Sequence, residues 1–202
     1  MSAMIAPVTL RGRIVRLEPL SLAHVPALAK VGLDPELWRW IPTQVTSEAE
    51  MRAYVELALD ELRRGVSLPF AIVEQTTGRV IGSTRYGNIA AEHKRLEIGW
   101  TWYARDAQRS GANTETKYLL LTHAFEVLGM NRVELKTDAL NEKSRNAILR
   151  IGAVQEGIFR RHLVCASGRV RDTVYFSIID SEWPAVRERL QTLLQRASVT
   201  RT

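Results

Sequence analysis

The stretch "QRSGANTETKY", residues 108–118, contains the residue types from which an anion site can be built. Such a site needs unpaired backbone N–H groups at a helix start, small side chains, and a conformation aiming those groups at one point. Ser110, Gly111, Ala112 and Asn113 are compact, and a helix is predicted to begin within a residue or two of them. Arg105 and Arg109 add positive charge at the same end. The stretch equally fits a plain strand-to-helix connection in which Asn113 or Thr114 caps the helix. Neither G-x-x-x-x-G-K-[ST] nor a strand–turn–helix G-x-G-x-x-G occurs, so ATP hydrolysis and dinucleotide oxidoreduction lose their main support.

Other polar residues stand out by position. Glu97 lies on the polar side of "RLEIGWTWY", and glutamate is depleted inside strands. It is a candidate for proton transfer, or for a cross-strand salt bridge with Arg85. Asn141 and Ser144 are spaced i, i+3 and share one helical face, although "DALNEKS" also reads as a capped helix start. Trp100 and Trp102 with Arg105 could form a base-stacking platform. Their alternation with Leu96 and Ile98 favours core packing instead. Glu115 and Lys117 are assigned to a helix surface. The histidines, at 24, 93, 123 and 162, lack metal-ligand spacing, so no metal site is expected.

The elements that must position these residues follow from periodicity. "RIVRLE" alternates as a strand, and Ser21 opens a helical stretch. Ser47 and Glu50 form a predicted capping box for a helix that Gly65 stops. "LPFAIVE" and "RVIGSTRYG" flank the turn "QTTG", and "RLEIGWTWY" puts Leu96, Ile98, Trp100 and Trp102 on one face. A helix follows with Tyr118, Leu121, Phe125 and Leu128 as its apolar stripe. "RVELKTD" is a strand and "NEKSRNAILRIG" a short helix. "HLVCASGRVRDTVYFSII" is a hairpin and "SEWPAVRERLQTLLQR" a last helix, beyond which the chain is expected to fray. The order predicts an α+β fold, a central sheet with helices packed against it, as a single domain over residues 1–202.

Composition narrows the classes further. The 202 residues are 46% hydrophobic and 25% charged, the balance of a globular protein. The formal charge of +6 comes without a long basic run, so a solvated surface is favoured over nucleic-acid binding. Cys165 is the only cysteine, which excludes an internal disulfide and fits a reducing cytoplasm. No apolar run approaches the roughly 20 residues of a membrane helix, and "MSAMIAPVTL" lacks signal-peptide features.

Taken in order, "LEIGWTWY", the loop, an amphipathic helix, "RVELKTD" and "NEKSRNAILRIGA" resemble the core of the GNAT acyltransferase superfamily. "RLEPLSLAH", "EIGW", the N-x-x-S before "RIGA", and "RD-x-V-Y-F-S" with "EW" are similar to its ribosomal-protein N-terminal acetyltransferase (RimJ/RimL-like) branch, over about residues 8–190. The resemblance implies a mixed, mostly antiparallel sheet splayed between the strands around residues 94–103 and 131–137. It also implies acetyl-CoA as acetyl donor and no metal. In the family's Q/R-x-x-G-x-G/A loop this chain matches at Gln108 and Gly111 and has Asn113 where Gly or Ala is usual.

By that resemblance, backbone groups of Arg109, Ser110, Gly111, Ala112, Asn113 and Thr114 hold the pyrophosphate. The strand ending at Tyr103 borders the pantetheine arm. Asn141 bonds that arm and Ser144 protonates the leaving thiolate, with Ile148 where many relatives carry a tyrosine. Glu97 is the first candidate for general base and His162 the second. The expected acceptor is a peptide or protein N-terminal α-amine. The alternatives are a small amine (polyamine, antibiotic or amino-acid derivative) and a non-enzymatic RNA- or ribosome-binding module. Relatives often dimerise, so a homodimer is among the expected partners; no membrane is.

Overall fold

A computed structural model describes residues 5–199. The expected fraying concerns residues beyond these and lies outside the described part. Eight strands form one sheet in the order β1-β2-β3-β4-β5-β6-β8-β7. They are β1 (Leu10–Arg11), β2 (Val15–Pro19), β3 (Leu68–Glu74), β4 (Val80–Ala90), β5 (Arg95–Tyr103), β6 (Arg132–Asp138), β7 (Val154–Val164) and β8 (Val170–Ile179). The helices are α1 (Val25–Gly32), α2 (Pro35–Trp38), α3 (Glu48–Arg63), α4 (Ala112–Thr122), α5 (Glu142–Arg150) and α6 (Trp183–Val199).

Every neighbouring pair of strands is antiparallel except β5 and β6. Those two run parallel and pair only at Arg95↔Arg132, Leu96↔Val133 and Glu97↔Glu134. Beyond Glu97 they part, β5 running on to Tyr103 and β6 to Asp138. This is the splay expected from the resemblance, with Glu97 at its apex. From Ile98 onward the edge of β5 turned toward β6 has no ladder partner there.

Two apolar clusters hold the layers together, one on each face of the sheet. The first joins Leu96, Ile98, Val133, Val174 and Phe176 to Leu120, Leu121 and Ala124 of the α4 segment and to Trp183 and Leu190 of α6. The second joins Trp102 and Ala71 to Leu28, Trp38, Met51, Tyr54 and Val55 of α1–α3.

The alternation read from β5 does not survive its middle. Trp100 takes φ 50°, and the pairing with β4 slips between Ser83↔Trp102 and Arg85↔Gly99. This bulge inserts an extra residue and reverses the pleat. Leu96 and Ile98 therefore face the first core and Trp102 the second, while Trp100 is only half-buried.

Two helix readings also change. Ser47 accepts the Glu50 N–H at 3.2 Å, but Glu50 turns its carboxylate to the N–H (2.6 Å) and Oγ1 (2.8 Å) of Thr46, so the predicted capping box is half made. After α4 the chain continues as a π-helical turn, His123–Val127, which rotates the predicted stripe. Leu121 and Leu128 are buried, whereas Tyr118 and Phe125 only flank the core.

Candidate active site

The loop before α4 has the geometry of an anion cradle. A 3-10 turn, Arg105–Ala107, follows β5; Gln108 is extended, and Arg109 (φ 61°) and Gly111 (φ 87°) adopt left-handed conformations on either side of Ser110. Alternation of this kind turns successive N–H groups to one side, forming an anion-binding concavity. Among the described residues, no backbone carbonyl accepts the N–H groups of Arg109, Ser110, Gly111, Asn113 or Thr114. The Ser110 hydroxyl braces the loop by donating to the Ala107 carbonyl at 2.6 Å. Gln108 donates to the Tyr103 carbonyl at 3.3 Å and accepts from Lys143 of α5, which joins the two sides of the splay.

Neither Asn113 nor Thr114 caps the helix. Gly111 is the N-cap and α4 starts at Ala112, leaving Asn113 half-buried in the first turn. Thr114 is buried and accepts from Arg150 Nη2 at 3.0 Å. Arg109 is exposed beside the loop, but Arg105 pairs with Asp34 at 3.0 Å instead of adding free charge. The Tyr103 ring belongs to the first core, and burial pushes its phenol pKa well above the ordinary value.

At the apex, Glu97 is 2% exposed and accepts from Lys136 Nζ at 2.8 Å and Asn88 Nδ2 at 2.7 Å. The bridge considered with Arg85 does not form. Arg85 pairs with Glu61 of α3 at 2.8 Å, and its guanidinium lies 5.0 Å from the ring centres of both Tyr54 and Trp100. Lys136 and Tyr175 are cross-strand partners and so share a face. The His162 ring contacts Tyr175 and Phe159, with centroids 5.8 Å and 5.3 Å away. Tyr175 and Lys136 thus stand between His162 and Glu97.

Asn141 is the N-cap of α5: its Oδ1 accepts the Ser144 N–H at 3.1 Å, and its own N–H donates to the Asp138 carbonyl. The capping reading is therefore met, and its Nδ2 group is left for another partner. Ser144 is half-buried one turn before the buried Ile148.

Sequence reasoning misplaced two charged residues of α4. Glu115 is 4% exposed and accepts the backbone N–H groups of Arg13 (2.9 Å), Ile14 (2.6 Å) and Val15 (2.7 Å). Lys117 is 7% exposed and donates to Thr101 Oγ1 at 3.2 Å, just beyond the β5 bulge. Burial pushes the Lys117 amine down to about 7, against the pull of the Glu97 charge. Spacing could have found Lys117, because it lies three and four residues before Leu120 and Leu121 on the buried stripe. Nothing local marks Glu115, whose partners lie about a hundred residues away.

A sheet that splays after one short parallel pairing, with a nest of free amides at the adjoining helix, restricts the family. Residues 15–154 match the model of the acetyltransferase (GNAT) domain. The chain belongs to the GNAT acetyltransferase family. A GCN5-related N-acetyltransferase from Brucella melitensis is 32% identical to this acetyltransferase, covering 95% of this chain and 87% of its own, with a TM-score of 0.87. YdaF of Bacillus subtilis, named as a candidate ribosomal N-acetyltransferase, is 36% identical over 106 residues, 52% of this chain and 57% of its own. RimJ of Mycobacterium smegmatis, solved in complex with CoA-disulfide, shares the fold at 24% identity and a TM-score of 0.79, covering 93% of both chains.

The protein is thus an acyltransferase of the GNAT N-acetyltransferase type, a fold that uses acetyl-CoA. The unpaired loop amides fit a diphosphate. Among the described residues, no three His, Cys, Asp or Glu side chains gather as metal ligands, and no helix is long and apolar enough to cross a membrane.

Proposed function

We propose that this acetyltransferase acts on the α-amine of a peptide or protein N-terminus. The observation that carries this reading is the engagement of Glu97 by both Lys136 and Asn88. This holds a buried carboxylate at the splay in position to take a proton. An amine that is already partly neutral asks the least of it. An α-amine, with a pKa near 8, is roughly a tenth neutral at pH 7, whereas a lysine is far less so. The naming of YdaF as a candidate ribosomal N-acetyltransferase supports a protein acceptor.

When bound, acetyl-CoA supplies the acetyl thioester that the amine attacks directly. The amides of Arg109, Ser110, Gly111, Asn113 and Thr114 hold the pyrophosphate, assisted by the α4 N-terminus. The Nδ2 group of Asn141 serves the pantetheine arm. Glu97 takes the proton from the amine, directly or through a water, and Lys136 keeps the carboxylate in place. The Ser144 hydroxyl is the donor for the departing sulfur. A thiol pKa of about 8.5 means that modest assistance is enough, which accommodates Ile148 in place of a tyrosine. His162, the second candidate, lies behind Tyr175 and Lys136 and has no part in this proton transfer.

The experiment is an acetyl-transfer assay on peptides with free N-termini, the same peptides with blocked N-termini and an internal lysine, and polyamines. Transfer to the free N-termini alone is expected. Transfer only to polyamines or to lysine overturns the α-amine reading.

A further inference from the structure

The remainder of an acceptor must leave the apex across the part of the sheet that α1–α3 do not cover. That path is laid out by contacts. Lys136, beside Glu97, lies 5.8 Å from the Tyr175 ring centre, and Tyr175 stacks on Phe159 with centroids 4.4 Å apart. Beyond Phe159 the path meets a bulge in the edge strand β7. Pairing with β8 runs from Phe159↔Thr173 to Leu163↔Arg171, so Arg160, Arg161 and His162 together face Asp172 alone. Arg161 takes φ 52°, and its N–H is held by Asp172 Oδ1 at 2.6 Å.

At the bulge, Phe159, Arg160, Arg161, His162 and Asp172 line a shallow, open cleft. Both arginines are exposed, and neither guanidinium has an ion-pair partner among the described residues. Arg169, in the turn of the same hairpin, is by contrast committed to Asp138. The one carboxylate in the cleft, Asp172, is engaged by the backbone of the bulge. Bulges of this kind re-aim side chains and end pairing at sheet edges. Here the re-aimed side chains are two unpaired cations over an aromatic floor.

We propose that the β7 bulge recognises an acidic segment of the acceptor, a carboxylate side chain about five to seven residues behind the reacting amine. This rests on the N-terminal α-amine reading above. From β5 across β6 and β8 to β7 is roughly 15 Å at the usual strand spacing, and the register sets Asp172 five residues along β8 from Ser177, the row of Glu97, so the direct path is roughly 22 Å, the reach of about six extended residues. Two exposed guanidiniums give such a segment charge complementarity and paired hydrogen bonds. Tyr175 and Phe159 supply the apolar surface beneath its backbone.

The test compares kcat/KM for three peptides that share length and first five residues. At positions six to eight they carry Asp and Glu, the corresponding Asn and Gln, or Lys. The acidic peptide is expected to exceed the amide peptide by about tenfold at low salt, and the gap should narrow at high salt. Arg160→Glu with Arg161→Glu should reverse the order, favouring the Lys peptide. Each ranking is a ratio within one protein, so it does not depend on how much of a variant is folded. Equal values for acidic and amide peptides in the unaltered protein overturn the proposal. So does equal peptide use together with competitive inhibition by RNA, which would give the arginines to a nucleic acid. If blocked peptides or polyamines are the only substrates, the α-amine reading itself fails, a result separate from the peptide ranking.

Discussion

Glu115 and Glu97 are both nearly fully buried carboxylates, yet they occupy opposite kinds of place. Glu115 closes the seam between α4 and the β1–β2 turn, accepting three consecutive backbone N–H groups. Gly12 belongs to the same seam: a Cβ there would lie 2.4 Å from the Glu115 carboxyl carbon. Glu97 sits where β5 leaves β6, held, among the described residues, by the side chains of Lys136 and Asn88. Fixed amides cannot withdraw from a carboxylate when another ligand arrives; a lysine and an asparagine can. The difference separates a charge that stabilises from one that can exchange partners during a reaction. Burial alone does not make that distinction.

If the distinction is right, substitutions in the two regions fail differently. The largest loss is expected from Glu115→Ala, which strands three donors and should cost about 3 kcal/mol or more of stability. Chemical denaturation measures this directly. Activity per folded molecule should stay close to that of the unaltered protein.

Lys117 lies between the two regions and titrates. Its folded pKa, about 7, is below the ordinary lysine value of 10.5, so between those pH values the unfolded chain binds a proton that the fold has released. Stability contributed by this group therefore rises with pH from about 7 to about 10.5. Lys117→Met should flatten that slope and make the protein more stable than the original at pH 7. Denaturation midpoints of both proteins at pH 7 and pH 9.5 check this; parallel changes would contradict it.

A smaller effect is expected in the loop. Gly111→Ala places a Cβ on a left-handed residue, costing about 1–2 kcal/mol locally. Acetyl-CoA affinity, read by calorimetry, should fall about tenfold. An unchanged affinity would detach the loop amides from the pyrophosphate.

Much of this arrangement was legible in the sequence. Ser47 and Gly65 mark helix ends by local chemistry, alternation places β2, and the turn "QTTG" places β3 and β4. The helix starts read near Gly111 and at Asn141 are those of α4 and α5. What escaped depended on a single inserted residue or on distant partners. The Trp100 bulge hides in a strand whose polarity alternates without a break, so Trp102 was put on the wrong face. Glu115 and Lys117 read as surface charges because the groups that bury them, Val15 and Thr101 among them, are far away in sequence. Arg85 found Glu61 of α3 instead of Glu97 because it faces the helix layer, a choice that register alone settles.

The most direct measurement is Glu97→Gln, with kcat for a free N-terminal peptide and acetyl-CoA affinity determined on the same preparation. A fall in kcat of about a hundredfold or more, with acetyl-CoA affinity nearly unchanged, is the predicted result. A kcat within twofold of the original would contradict the assignment of Glu97 as base and, with it, the reading of the splay apex as the place of reaction.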